Sequence, residues 1–526
     1  MIYKKCKYGK FFGPKCRGCH LSVRRKCRRY HHRYFQMKLN RAMKEKKYRI
    51  FSDFSYKSTV ISHIMENACG YIQMADDSNG LDANFSMHNG QVTFLPFNDE
   101  ARRVSHTHCY NTKSDHFNEK WFYGFSEYNS AIAIFANRPM RQEFSSGLDL
   151  CATRFYSPMY IQGSSSEIKS AEYFDCIEFY GGVVDEVYDP VMAYKTLSGE
   201  RIEYADSERY VKKYDVEVEG ESFKIFVGIY TDRSLTTYVP KIEGNTHSAV
   251  RFVFGDLHMT EELLKYRDYG LNLFQFCSGR LNVKCDIRLY NSELSDKPMY
   301  AKIADGYEDY SKPDSHRVIS ISHLSNCFPK LFRSLNDGKK KPYLQFLPAS
   351  NRDSLLYTQV NDLCIAMEKE YGFLTADSNE KLEKAAKTLA KMLLNTVTNA
   401  QDVPEEVKTK ASNIIGSNLQ GYSPSLREKM VFLYEKYKDE MRRLTEQDGH
   451  DDFGIVKFYS DEEFKRLIGK FKNIRNSASH YGVEWNEGYE IFDHLVLLVY
   501  YSIMDRSGYG IQERSGILSG LFFHRL

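Results

Sequence analysis

Nowhere does the sequence hold the unbroken run of roughly 18 to 20 apolar residues that a membrane-spanning helix needs. Its best stretch, "LVLLVYYSI" at 495–503, is about half that length. The first 50 residues are almost without acid, Glu45 standing alone against 18 Lys and Arg. No apolar block follows those basic residues, so the start does not read as a secretory signal. Together these lacks lead us to expect a cytoplasmic protein with no membrane partner. A disulfide framework is missing too: twelve cysteines are spread through a long chain and only the first four cluster, which suits reduced thiols. Between 49 and 340 there is no metal-ligand cluster, glycine-rich phosphate loop or nucleophile elbow, so recognition is expected there rather than chemistry.

What is present divides the chain. At 526 residues it is too long for one ordinary core, and 42% hydrophobic with 27% charged residues is a globular composition, which together favour two or three domains. The first 50 residues carry a net +17, so the remainder stands at −13 against +4 overall. Residues 1–48 form a basic, cysteine-rich arm in which aromatic residues alternate with Lys and Arg. Such a mixture suits RNA, where cations neutralise phosphates and rings stack on bases; a solubilising leader is the other reading. Cys6, Cys16, Cys19 and Cys27 are spaced C-x9-C-x2-C-x7-C. A C-x2-C knuckle sets two thiolates on one turn as a structural zinc requires, although the outer spacings match no standard ribbon.

From 49 to 340 the texture is that of strands. "AIAIFAN" (131–137), "FKIFVGIYT" (223–231) and "SAVRFVFGD" (248–256) are rich in β-branched and aromatic residues and are separated by Gly, Asn and Asp. A sandwich or two packed sheets is expected, interrupted by one helix at 260–279 that Thr260 caps, and followed by the strand "LNVKCDIRLY". From about 345 the period becomes 3.6. Helices are expected near 352–371, 379–398, 404–417, 423–445, 460–481 and 488–504, within an all-α domain over 345–508, with 509–526 as a tail. Asp377 or Ser378 is placed to cap the second helix, and Ser460 with Glu463 forms a capping box for the fifth.

That fifth helix holds the most suggestive stretch, "NIRNSASHYG" at 473–482. On a helical wheel Phe464, Leu467, Ile468, Phe471, Ile474, Ala478 and Tyr481 make an ordinary core stripe. Asn476 and His480, four residues apart, share a face away from it, and Arg475 lies at its edge. Gly469 is on the Asn476 face, where it would admit another backbone, and Gly482 is a natural helix stop. Arg-x4-His spacing alone decides nothing: Arg103 and His108 repeat it in the β-rich half and are taken as coincidence.

In its setting "IRNSASHYG" resembles the Arg-Asn-x3-His signature of HEPN ribonucleases, the likeness covering roughly 345–505. A β-rich region of some 300 residues ahead of it is similar to the plan of ApeA-type bacterial anti-phage proteins. "YFDCIEFYGGVVDEVYDP" (173–190) and "LNLFQFCSGRLNVKCDIRLY" look similar to that family's N-terminal domain; the basic arm departs from it. The resemblance implies an α+β multidomain chain: a β-rich, sandwich-like sensing or regulatory region over 49–340 and a helical-bundle HEPN domain. It implies catalytic roles for Arg475, Asn476 and His480, a homodimer in which two motifs make one composite cleft, an RNA substrate with transfer RNA among the candidates, and a phage-derived trigger. No cofactor is implied for catalysis. The competing readings are a non-catalytic RNA-binding or regulatory protein with a HEPN dimerisation domain, and a carbohydrate-binding β-module whose helical end only dimerises.

Overall fold

The computed structural model describes residues 67–73, 83–88, 91–96, 120–127, 130–136, 141–144, 151–156, 159–162, 169–189, 194–197, 201–204, 212–235, 242–281, 283–291, 293, 299–303, 317–324, 327–339, 341–345, 357–417, 424–447, 459–478 and 487–522. The chain divides into two compact units. Among the described residues the smaller has only 230–235 and 242–245.

Its first half is antiparallel β-structure. The strands are β1 (Asn67–Gln73), β2 (Ala83–His88), β3 (Gln91–Pro96), β4 (Lys120–Ser126), β5 (Ala131–Ala136), β6 (Arg141–Phe144), β7 (Cys151–Tyr156), β8 (Met159–Gln162), β9 (Tyr173–Tyr180), β10 (Tyr194–Leu197), β11 (Arg201–Tyr204), β12 (Lys212–Val218), β13 (Glu221–Leu235), β14 (Ile242–Met259), β15 (Asp286–Tyr290) and β16 (Met299–Ile303). Apart from the β10–β11 hairpin they join one sheet in the order β12-β13-β14-β9-β15-β16-β8-β5-β4-β1-β2-β3-β7-β6. The expected sandwich is therefore a single hydrogen-bonded sheet of 14 strands.

That sheet curls. Phe94 on β3 and Phe122 on β4 meet edge to face with centroids 4.9 Å apart, although β2 and β1 lie between their strands. Strands three places apart in a flat sheet are about 14 Å apart, so the surface must bend to bring the rings together. The bend encloses a small apolar cluster that includes Ile72, Phe85, Phe94, Phe122 and Ile134. Two glycines permit it at the β1–β4 seam. A Cβ on Gly70 would come within 2.0 Å of the Phe125 carbonyl oxygen, and one on Gly124 within 2.0 Å of the Tyr71 oxygen. Glycine inside a strand marks such backbone approach. Gly124→Ala should therefore cost about 1–3 kcal/mol of stability, the usual range for overpacking, read as a lower denaturation midpoint; an unchanged midpoint would refute the close approach.

Ten helices are described: α1 (Lys169–Glu172), α2 (Val183–Val187), α3 (Leu263–Ser278), α4 (Phe328–Asn336), α5 (Tyr357–Asn399), α6 (Glu405–Ile415), α7 (Leu426–Gln447), α8 (Asp461–Ala478), α9 (Phe492–Arg506) and α10 (Ile511–Phe522). The helix expected at 260–279 is a 3-10 turn, Thr260–Glu262, running into α3. Thr260 does not cap it; its buried hydroxyl donates to the Ala171 carbonyl. α3 lies on β9, where Phe274 packs edge to face on Phe179 and Gly270 leaves no room for a Cβ beside the same ring.

The change of texture near 340 is not a break in the core. Phe276 of α3 stacks on Tyr500 of α9 at 4.9 Å, and one apolar cluster runs from Trp121 to Phe522. α9 explains the longest apolar run: every residue from Phe492 to Met504 is buried. Among the described residues no helix is long and apolar enough to cross a membrane. Residues 511–522, assigned from sequence to a tail, form α10, whose Leu518, Leu521 and Phe522 are fully buried. Gly520 there sits so close to Val318 that a Cβ would come within 2.7 Å of its carbonyl oxygen.

The two helices expected at 352–371 and 379–398 are one helix of 43 residues, α5. Asp377 and Ser378 thus stand inside a helix instead of capping one, since neither residue costs more than a few tenths of a kcal/mol at an interior position.

Candidate functional site

The end of α8 is built as its sequence predicts. Ser460 Oγ accepts from the Glu463 N–H at 3.3 Å, one half of the capping box. Asp461, in the first turn, accepts from Tyr434 at 2.9 Å, from Lys438 at 3.0 Å and from Arg442. Those bonds, Lys438 first, hold its carboxyl below the usual range. Phe464, Leu467, Ile468, Phe471 and Ile474 are all buried, so the stripe faces the core.

The last turn of α8 departs from that apolar face. Arg475 is half-buried and Asn476 is exposed, so the motif begins at the border of the core and opens outward. The Tyr357 hydroxyl, at the start of α5, donates to the Arg475 carbonyl at 2.9 Å. Carbonyls in a helix's last turn lack intrahelical donors, and this bond ties the end of α8 to α5. Cys364 lies one face along α5: burial pushes its thiol up to about 12, with the Arg475 charge pulling the other way. The thiol is therefore neutral at physiological pH.

The chain returns beside α8. Glu487 accepts from Lys470 at 2.7 Å and from Arg466 at 2.9 Å, and Tyr459 donates to Glu490 at 3.2 Å. The 3-10 turn Glu487–Ile491 is thereby stapled to the helix that carries Arg475. His480 falls outside the described residues, as do Gly482, Arg103, His108 and the four cysteines Cys6, Cys16, Cys19 and Cys27. Among the described residues no group of three or more His, Cys, Asp and Glu is arranged to hold a metal ion.

No family model, curated protein or solved structure matches this chain.

Gly469 keeps an open face. A Cβ there would meet only the Arg427 side chain of α7, at 3.6 Å, so no backbone packs on that face within the described structure.

Sequence reasoning assigned no polar site to the β-rich half, yet two charged clusters stand there. Glu178 on β9 is fully buried between its register partners, Arg251 on β14 and Arg288 on β15. Arg251 Nε donates to one carboxylate oxygen and Arg288 Nη1, at 3.2 Å, to the other. The signal was present: each is a charge with apolar neighbours on both sides, in "CIEFY", "AVRFVF" and "IRLY". A second cluster surrounds His258, whose Nδ1 is 2.9 Å from Glu262 and 3.0 Å from the Tyr266 hydroxyl, while Nε2 is 3.3 Å from Glu221. Lys265 also reaches Glu221, at 2.9 Å. These partners come to His258, on β14, from β13, the 3-10 turn and α3, a convergence that no local pattern announces.

Tyr357 was also missed, because nothing near it in sequence marks it. If it fixes the last turn of α8, Tyr357→Phe should make amides at 475–478 exchange several-fold faster while those of α9 stay unchanged; equal protection would show that the bond is incidental.

Proposed function

We propose that the helical region is a metal-independent endoribonuclease of anti-phage defence, with Arg475, Asn476 and His480 as its catalytic residues. The carrying observation is the end of α8, where Arg475 lies half-buried and Asn476 exposed beside the buried stripe. RNA supplies its own nucleophile, the 2′-hydroxyl. Cleavage then needs a base to take its proton, an acid for the departing 5′-oxygen, and positive charge for the transition state.

His480 supplies the proton transfers, since imidazole changes charge near neutrality. Arg475 braces two phosphate oxygens as charge builds, and Asn476 orients the phosphate or the imidazole. Two copies face their motifs across a homodimer and complete one cleft. The products end in 2′,3′-cyclic phosphate and 5′-hydroxyl, and the β-rich region restrains the nuclease until a phage component arrives. A transfer RNA is the first substrate to test.

The experiment compares wild type and His480→Ala on total cellular RNA in EDTA, with and without phage lysate, mapping the cut ends. Wild-type cuts with cyclic-phosphate ends that vanish in the variant support the proposal. RNA that is bound but left whole by both proteins would replace it with a non-catalytic RNA-binding role.

A further inference from the structure

α7 and α8 lie side by side and run in opposite directions: Lys438 meets Asp461 at 3.0 Å, Tyr434 stacks on Phe464, and Arg427 reaches Gly469. At the start of α8 the charges along this seam are paired, Asp461 with Lys438 and Arg442, and Lys465 with Glu435. Its other end differs. After Glu463 the rest of α8 carries Lys465, Arg466, Lys470, Lys472 and Arg475 and no acid. Glu435 takes the first of these cations, and Glu487 the next two at 2.9 and 2.7 Å. Among the described residues Lys472 and Arg475 form no ion pair, nor does Arg427, the first cation of α7. Acids on the surrounding elements are engaged elsewhere. Glu428 accepts from the Ser425 N–H at 2.7 Å as a cap of its own helix, and Glu368 on α5 holds Lys429 at 2.7 Å.

Gly469, Lys472 and Arg475 follow one another at three-residue spacing, so each neighbours the next on the helix surface, and the row spans about 9 Å. Arg427 extends it at Gly469, where its Nε lies 3.6 Å from the place of a Cβ. Asn476 is exposed at the other end. Glycine inside a helix weakens it, and no close packing within the described residues requires one at 469. The missing side chain instead leaves a gap between Arg427 and Lys472, where another chain can come close to the helix backbone.

We propose that this seam binds the backbone of an RNA strand on its way to Arg475. Arg427 and Lys472 each hold a phosphate, the first through its planar fork and the second as a point charge, and Gly469 makes room for the sugar between them. The inference rests on the ribonuclease reading for where the strand leads, but the binding itself needs no cleavage. A second copy of the chain packed directly on this face would set like charges together. A polyanion meets only opposite charge there.

The test measures the affinity of the full chain for a single-stranded oligonucleotide with 2′-O-methyl at every position, which removes the nucleophile, over a salt series. Arg427→Gln and Lys472→Gln should each bind at least three-fold more weakly. Each should also flatten the slope of log affinity against log salt by about 0.7, the share of one phosphate on a single strand. Gly469→Glu fills the gap with an acid that a helix accommodates, and should weaken binding at least ten-fold with unchanged circular dichroism. Lys391→Gln removes the same charge about 50 Å along α5 from Tyr357 and should leave affinity and slope as in wild type. The basic arm is common to every variant, so the differences report the seam.

Wild-type affinity and slope in Arg427→Gln and Lys472→Gln overturn the proposal, as do equal losses in Lys391→Gln. A change of mass in light scattering with unaltered RNA affinity assigns the seam to a second copy of the chain and overturns it as well. Unmodified RNA separates the two readings. If wild type cuts nothing while the seam variants lose affinity and slope, the ribonuclease reading falls and the seam stands; if wild type cuts and the seam variants bind as it does, the reverse holds.

Discussion

On the proposed ribonuclease reading, replacing His480 by alanine should lower the rate of RNA cleavage by about 10²–10⁴-fold, the usual contribution of one positioned acid or base. Binding of uncleaved RNA should change far less, because the variant keeps Arg475 and the other basic residues that meet phosphate. The wild-type pH–rate profile should carry a limb that the variant's residual rate lacks. Arg475→Lys separates charge from geometry at the same site. It keeps the cation but loses the planar fork, so its rate should fall between those of wild type and Arg475→Ala. A His480→Ala protein that cuts at the wild-type rate, at the same positions, would remove the motif from the chemistry.

How much of this was legible in the sequence depends on how local the determining physics is. The α8 stripe, its Ser460 cap and the strand at 131–136 follow from period and cap chemistry, and the structure has each of them. The α5 helix was misjudged because Asp377 and Ser378 look like a cap, while the outcome is fixed by the buried face from Val360 to Tyr371 and by the absence of any proline. The curl of the sheet was not legible as topology, although Gly70 and Gly124 are its local trace. At the candidate site, Arg475 and Asn476 were placed correctly relative to the core stripe. Tyr357, 118 residues earlier in the chain, was out of reach because its role exists only once α5 and α8 lie together. Likewise the partners of His258 are 37 residues upstream at Glu221 and close by at Glu262, and only folding gathers them.

α5 is bonded at its start to the turn that bears Arg475, so what anchors it should have large effects. Glu370, on α5, is 0% exposed and accepts from Ser502 at 2.8 Å and from Arg506 Nε at 3.0 Å and Nη2 at 3.3 Å, both on α9. Burial raises its carboxyl, and Arg506 is the largest influence in the other direction. Arg506→Ala therefore leaves an uncompensated buried carboxylate and should cost about 3–5 kcal/mol at neutral pH, seen as an early loss of helical signal in denaturant. The sign of the pH dependence follows. A folded-state pKa raised further above the unfolded value makes the protonated fold the stable one. The deficit is thus smallest below the unfolded glutamate pKa and grows as pH rises towards the folded value. Acidifying the variant should narrow its gap to wild type. Adding Glu370→Gln to Arg506→Ala should recover part of the loss, because an amide needs no counter-charge there. If the double variant is as unstable as the single one at every pH, the cost lies in lost packing around Phe373, over whose ring the guanidinium sits at 4.9 Å, and not in the stranded charge.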